Sequence, residues 1–340
     1  RRAMHHCYPL QRDLHLSNTL QNRSLWGIRG RQHLMDMEPL SIPINKIGKG
    51  TACIYTKYHP PIILWVMPEL PEVETTRRGI EPASLNQSVT RVVIRQRSLR
   101  WPIPEGVEEE VTGITFKQIT RQAKYLLLKS EKGTLIIHLG MTGTLRVLEG
   151  NPAAEKHDHV DLHLSNGMML RFRDPRRFGA VLWTTEPIEQ HPLIASLGIE
   201  PVGATTVDQI SDHLYQKSRG RKVSIKAFIM DQKVITGVGN IYACESLFLS
   251  GIHPKRSCGS TSKQRYQQLA EAIQNRLNEA IRQGGTTLQD FRNSEGKPGY
   301  FQQQLSVYGR EDEPCPQCDS PIKRITQNRR SSWYCPQCQH

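Results

Sequence analysis

The sequence predicts an α+β chain: an N-terminal β-sandwich with one flanking helix, a helical half, and a C-terminal zinc β-hairpin. Three observations carry this prediction. Short β-rich runs follow one another through the first half at intervals of roughly ten residues, the rhythm of a sandwich. Apolar residues then recur four apart, the spacing of one helix face. The chain closes on two C-x₂-C knuckles, a spacing suited to a tetrahedral metal site.

Residues 1–66 fit none of these patterns. They show no sustained period and carry nine Lys or Arg against three acids, +6 of the chain's +13. Pro60–Val66 is too short an apolar run to span a bilayer, and no small-residue cleavage pattern follows it. The segment is read as an extension outside the mature protein, translated upstream of a start at Met67. A disordered basic arm and a presequence are the alternatives.

The flanking helix is expected from Pro71 to Arg78. Proline suits a first helical turn, Glu72 and Glu74 suit its positive end, and Gly79 is a natural stop. The β-runs are 89–95, 111–119, 125–129, 134–138, 143–148, 160–164, 168–173 and 180–184, separated by glycine, proline or charged turns. Leu197–Val202 reads as a linker. The clearest helix is 262–283, with Leu269, Ile273, Leu277 and Ile281 on one face and Gly284-Gly285 as its stop.

Cys315, Cys318, Cys335 and Cys338 supply four thiolates to one structural Zn²⁺. Ile322–Ile325 and Ser332–Tyr334 then pair as a hairpin around a turn at Gln327–Arg330, with Asn328, Arg329 and Arg330 at its tip. Redox dithiols are the alternative. The other four cysteines are scattered, which excludes a secreted disulfide framework. The basic balance from Met67 onward suits a polyanionic partner such as nucleic acid.

The run Met67-Pro68-Glu69-Leu70-Pro71-Glu72-Val73-Glu74 closely resembles the N-terminus of the formamidopyrimidine-DNA glycosylases, repair enzymes that excise oxidised purines. The resemblance continues in order to about Gln339. It implies an N-terminal catalytic sandwich over 67–199, a helix–two-turn–helix DNA-binding domain over 200–309 and a zinc finger over 310–340. The implied activity is a bifunctional glycosylase and abasic-site lyase. A free Pro68 amine attacks the sugar C1′, and its unperturbed pKa of about 7.7–8 leaves a neutral fraction at cellular pH. Glu69 is implied as the acid on the sugar ring oxygen. Lys124, in Arg121-Gln122-Ala123-Lys124-Tyr125, is implied as proton donor and phosphate contact, and Arg330 completes the catalytic set.

Met141, in His138-Leu139-Gly140-Met141, fills the hole left by a flipped nucleotide in such enzymes. Arg176 and Phe178, in Asp174-Pro175-Arg176-Arg177-Phe178-Gly179, read the orphaned base and wedge the base step. His157 is read as a phosphate contact, in preference to a metal site with His159. Arg221, Lys226 and Asn240 are the implied DNA contacts of the helical half. The turn Thr236-Gly237-Val238-Gly239-Asn240 opens a helix whose N–H groups suit a phosphate. Residues 294–301 resemble a loop that folds over the everted base.

The expected partner is double-stranded damaged DNA, bound by a monomer without membrane association in the cytoplasm, at the nucleoid of a bacterial-type cell. Leu70, Val73 and the Met141/Arg176/Phe178 trio favour the purine type over the endonuclease-eight type, which acts on oxidised pyrimidines. A catalytically dead DNA-binding zinc protein is the reading from another class.

Overall fold

The computed structural model describes residues 68–284 and 305–340. The expectations for residues 1–66 and for the 294–301 loop fall outside the described residues.

Helix α1 spans Leu70–Ser84. At its start the Glu69 N–H donates to Glu72 Oε2 at 2.9 Å, and Pro71 occupies the first turn, where a missing N–H costs nothing. The helix does not stop at Gly79 as predicted but runs on through Gly79 and Pro82. A glycine ends a helix by turning left-handed, and Gly79 has no positive φ. Ile80 beside it is fully buried, and that burial outweighs the roughly 1 kcal/mol that glycine costs inside a helix.

Eight strands follow: β1 Val89–Ile94, β2 Gln118–Gln122, β3 Tyr125–Lys129, β4 Thr134–His138, β5 Thr144–Glu149, β6 Asp158–Leu164, β7 Met168–Arg173 and β8 Ala180–Thr184. They form two antiparallel four-stranded sheets, β1-β6-β7-β5 and β2-β3-β4-β8. The sheets enclose a core that includes Val89, Phe116, Leu126, Leu128, Ile137, Leu162 and Phe172. Leu127 and Ile136 point the other way and are covered by Ile188 and Ile194. Burial on both faces explains the unbroken apolar runs of β3 and β4.

The strand expected over 111–119 is absent as such. Helix α2, Val107–Val111, occupies its start, and β2 begins only at Gln118. The alternation Val111, Ile114, Phe116 reads as a strand, but Gly113 turns left-handed (φ +85°) between them. Ile114 and Phe116 are buried from a loop in which Thr115 makes one bridge to Ser88.

Past the short helix α3 (Pro192–Ala195) lie α4 Val207–Ser218, α5 Ile225–Ile229, α6 Asn240–Leu249 and α7 Lys263–Arg282. The α7 stripe Leu269, Ile273, Leu277 and Ile281 is buried and Gly284 (φ +78°) ends the helix, as the sequence predicts, while Ser262, expected inside the helix, caps its start instead. The 197–202 segment is not a free linker. Its Gly198 N–H donates to Gln232 O at 2.8 Å, and Ile199 bridges to Ile235.

Strands β9 Lys323–Gln327 and β10 Arg330–Tyr334 form the C-terminal hairpin, pairing Gln327 with Arg330. The two loop residues, Asn328 (φ 48°) and Arg329 (φ 61°), are both left-handed, as a tight hairpin turn of matching twist demands. Ile322, Trp333, Cys315 and Cys335 lie in one apolar cluster with α4–α7 and with Leu70 of α1. The hairpin therefore shares the helical core.

Candidate active site and zinc centre

Glu69 is 2 % exposed, although it carries a carboxyl group. Its Oε2 accepts from the Gly239 N–H at 2.8 Å and the Tyr242 N–H at 3.4 Å, and its Oε1 from the Ile241 N–H at 3.0 Å. These are the orphan donors at the start of α6, where the partial positive charge of a helix terminus lies. The sequence assigned that turn to a phosphate; the structure fills it with a side chain from the start of α1. Close approach demands glycine there, since a Cβ on Gly239 would sit 2.3 Å from Glu69 Cδ. Two further bonds lock the same ends together. Leu70 N–H donates to Gly237 O at 3.2 Å, and Tyr242 Oη donates to Glu72 Oε1 at 2.8 Å.

Pro68 precedes Glu69 and is itself buried. Lys124 lies in the β2–β3 turn and is 7 % exposed, not the solvated surface lysine usual at a strand edge. Burial holds its pKa below the usual lysine value, against the opposing pull of Glu69 and Glu72. Burial likewise raises the Glu69 pKa, against the pull of Lys124 and the α6 N–H groups. Burial thus shifts both groups in the direction of their neutral forms, while each one's charge pulls the other back.

Arg330 is exposed and opens β10. It lines a cleft with Lys226, Met230, Gln327 and Asn328, and its charge acts on both Lys124 and Lys226. Lys226 is 2 % exposed. Its Nζ donates to Asn240 Oδ1 at 2.6 Å, Ser331 O at 2.9 Å and Ser332 Oγ at 2.7 Å. Asn240 Nδ2 donates to the same Ser331 O at 3.1 Å. Lysine and asparagine are thus adjacent, as the sequence pairing implied, but the three ammonium hydrogens already have protein acceptors.

Met141 and the Arg176–Phe178 segment occupy neighbouring loops. Thr142 Oγ1 donates to Asp174 Oδ1 at 2.7 Å, Arg176 N–H to Thr142 Oγ1 at 3.2 Å, and Gly179 N–H to Asp174 Oδ2 at 2.7 Å. Gly140 (φ +69°) permits the contact, because a Cβ there would lie 2.4 Å from Gly179 N. Phe178 is 44 % exposed, with the Arg176 guanidinium 4.9 Å from its ring centre.

His157 is partly exposed with φ +78°. His159 is buried, its Nε2 lies 2.8 Å from Asp174 O, and its ring stands edge-on to that of His157 at 6.4 Å between centres, with no third metal-type ligand joining them among the described residues. Arg221 is exposed, its guanidinium 5.6 Å from the Phe228 ring.

Sequence reasoning missed His138, Glu200 and Tyr242. His138 Nδ1 accepts from the Gly140 N–H at 3.0 Å, which places the ring proton on Nε2. Burial, then Lys124 and Arg100, lowers its pKa to about 4. A histidine ending an apolar strand was the available signal for it. Glu200 and Tyr242 gave none, because their partners are distant in sequence.

The four cysteine sulfurs lie within 4.8 Å of one another, with Cys318 and Cys335 Sγ at 3.4 Å and Cys315 and Cys338 Sγ at 3.9 Å. A tetrahedron with Zn–S bonds of about 2.3 Å has edges of about 3.8 Å. Gln317 N–H points at Cys315 Sγ and Cys338 N–H at Cys335 Sγ, each at 3.4 Å, steadying both knuckles. Among the described residues this is the one metal-type cluster. It forms a site for one structural zinc, and four thiolates leave no open position for catalysis.

Comparison with known proteins bears on the whole arrangement. Residues 67–181 match the formamidopyrimidine-DNA glycosylase N-terminal domain, 197–292 its H2TH domain, and 312–340 the zinc finger found in FPG and IleRS. A formamidopyrimidine-DNA glycosylase of Stutzerimonas stutzeri is 54% identical over 273 residues, 80% of this chain and 100% of that protein. The MutM (Fpg) protein of Thermus thermophilus superposes with a TM-score of 0.71 at 35% identity, covering 80% of this chain and 98% of the other. The wild-type Lactococcus lactis Fpg, solved with DNA containing N7-benzyl-Fapy-dG, gives 0.72 at 31% identity over 80% and 100%. With three domains matched in order and a relative covered over its full length, this chain belongs to the formamidopyrimidine-DNA glycosylase family.

Proposed function

We propose that this protein is a bifunctional DNA glycosylase and abasic-site lyase that removes oxidised purines, such as 8-oxoguanine and formamidopyrimidines, from double-stranded DNA. The observation that carries the reading is the buried pair Glu69 and Lys124 beside Pro68, with burial driving the carboxyl pKa up and the ammonium pKa down.

The Pro68 nitrogen attacks C1′, and the C1′–N bond to the damaged base breaks. Glu69 protonates the sugar ring oxygen as the ring opens, and the lesion side takes a proton from Lys124. The resulting iminium acidifies the C2′ proton; its loss expels the 3′ phosphate by β-elimination, and δ-elimination then expels the 5′ phosphate. Arg330 at the cleft rim engages the lesion-strand phosphate during these steps. The chemistry needs Pro68 as a free secondary amine, so the proposal includes an active form beginning at Pro68. Zinc takes no part beyond folding the hairpin.

Met141, Arg176 and Phe178 fill and read the void left by the flipped nucleotide. His157, Arg221, Lys226 and Asn240 face the phosphates, and a contact by Lys226 exchanges one of its three protein acceptors. The same reading assigns 67–199 to the catalytic sandwich, 200–309 to the DNA-binding helical domain and 310–340 to the zinc finger. It takes the enzyme to be a cytoplasmic monomer that acts at the nucleoid without membrane association. No helix among the described residues is long and apolar enough to cross a membrane.

Borohydride trapping on an 8-oxoguanine duplex, with peptide mass mapping, tests the reading. A crosslink at an N-terminal Pro68 is expected. No crosslink from a chain verified to begin at Pro68 would replace the lyase with a DNA-binding protein of the same fold.

A further inference from the structure

Between β2 and β3 the chain passes through Ala123 at φ +53°, a left-handed conformation that an L-residue with a Cβ adopts at a cost. Lys124 follows directly, so the direction of its side chain depends on that backbone being held. The two-residue turn that closes Gln122 against Tyr125 calls for this φ, but alanine is not the residue that suits it, and a further hold is supplied from outside the hairpin. That outside hold is Glu200, which is 77 residues away in the segment that leads into the helical half.

One carboxylate makes three bonds. Glu200 Oε1 accepts from Arg121 Nη1 at 2.7 Å, and Oε2 accepts from the Ala123 N–H at 3.0 Å and from Thr236 Oγ1 at 2.8 Å. Arg121 Nη1 also donates to Ala123 O at 2.8 Å, so both polar groups of the strained peptide are tied to the same ion pair. Arg121 Nε in turn donates to Glu74 Oε2 of α1 at 3.1 Å. On the other side, Thr236 begins the turn whose Gly237 and Gly239 hold Leu70 and Glu69.

We propose that Glu200 is a positioning residue that fixes Lys124 relative to Glu69 by joining the β2–β3 turn to the turn before α6. The inference rests on the reading of Lys124 as a proton donor in base excision. Glu200 touches neither Lys124 Nζ nor Glu69; it acts through the Ala123 peptide and Thr236. A carboxylate suits the task because both oxygens accept and one of them accepts twice. Glutamine retains an acceptor for Ala123 or Thr236 but turns a donor toward Arg121.

The test is single-turnover kinetics of Glu200→Ala and Glu200→Gln on two duplexes, one with 8-oxoguanine and one with a preformed abasic site. Glu200→Ala is expected to slow oxidised-base excision tenfold or more and abasic-site cleavage no more than twofold, with Glu200→Gln between it and wild type. In a Lys124→Ala background, Glu200→Ala is expected to add no further loss. Equal slowing on both duplexes, or losses that multiply in the double variant, would overturn the proposal. Thr236→Val removes one of the three bonds and serves if Glu200→Ala fails to fold; the same substrate split is expected at smaller size, and its absence counts against the proposal. A readout independent of activity is the ¹³C shift of reductively methylated Lys124, assigned by its loss in Lys124→Ala. It should move in Glu200→Ala, and an unmoved signal rejects the positioning role. Unimpaired excision by Lys124→Ala alone would instead reject the reading of Lys124, leaving the carbon shift to decide on Glu200.

Discussion

His138 shows how one residue's surroundings decide its chemistry. The Gly140 N–H bonded to Nδ1 fixes the tautomer, and burial beside Lys124 and Arg100 brings the pKa down to about 4. The unfolded chain binds a proton near pH 6.5, the folded chain only near 4. Between those values the unfolded state holds more protons, so this contribution is full above pH 6.5 and is lost as pH falls toward 4. The imidazole is partly open to solvent, so the expected size is roughly 1–3 kcal/mol, below the full linkage value. His138→Gln should therefore flatten the pH dependence of unfolding free energy across that window. Urea melts at pH 4.5 and 7.5 measure it, and an unchanged difference between the two would show that the ring is already hydrated.

The start of α6 carries the corresponding lesson for an element. Three N–H groups aimed at one point, beginning with that of Gly239, read in sequence as an anion site, and an acidic side chain fills it. That side chain is Glu69 of the same protein. The contact spans 170 residues or more, which no local pattern encodes. What was legible followed from period and turn chemistry: β3, β4, β7 and β8 at their full lengths, the α7 stripe and the Asn328-Arg329 turn. What was not legible depended on packing between distant elements. Helix α1 overran Gly79 because Ile80 is buried, and Val111–Phe116 broke at Gly113. The site divided along the same line. Pro68, Glu69 and the cysteines announced themselves by motif, whereas the partners that orient Glu69 and Lys124 did not. Gly239→Ala tests the element directly, since its Cβ would lie 2.3 Å from Glu69 Cδ. Overpacking of this kind costs about 1–3 kcal/mol. The relief available is for Glu69 to leave the N–H groups, so base excision should fall at least tenfold while zinc content stays at one. Wild-type excision by a folded Gly239→Ala protein would show that the cradle is not needed.

At the scale of the molecule, the apolar interior has two main bodies. One lies between the sandwich sheets; the other joins α4–α7, Leu70 and the hairpin residues Cys315, Ile322, Trp333 and Cys335. Two of the four metal ligands thus belong to the second body, and Lys226 binds Ser331 and Ser332 of β10 from α5. Zinc held by four thiolates contributes on the order of 10–16 kcal/mol in small fingers, comparable with the 5–15 kcal/mol that separates a whole domain from unfolding. Removing it should therefore loosen more than the finger. Hydrogen exchange with and without a strong chelator is the measurement. Protection should fall across 225–249 as well as 310–340, because Trp333 and Ile322 no longer close the helical core, and it should persist over 118–184, whose core is separate. DNA binding should be lost in step, since Arg330 depends on the same hairpin. Protection lost from 310–340 alone would mean that the helical core closes without the finger, and that the metal serves only to place Arg330.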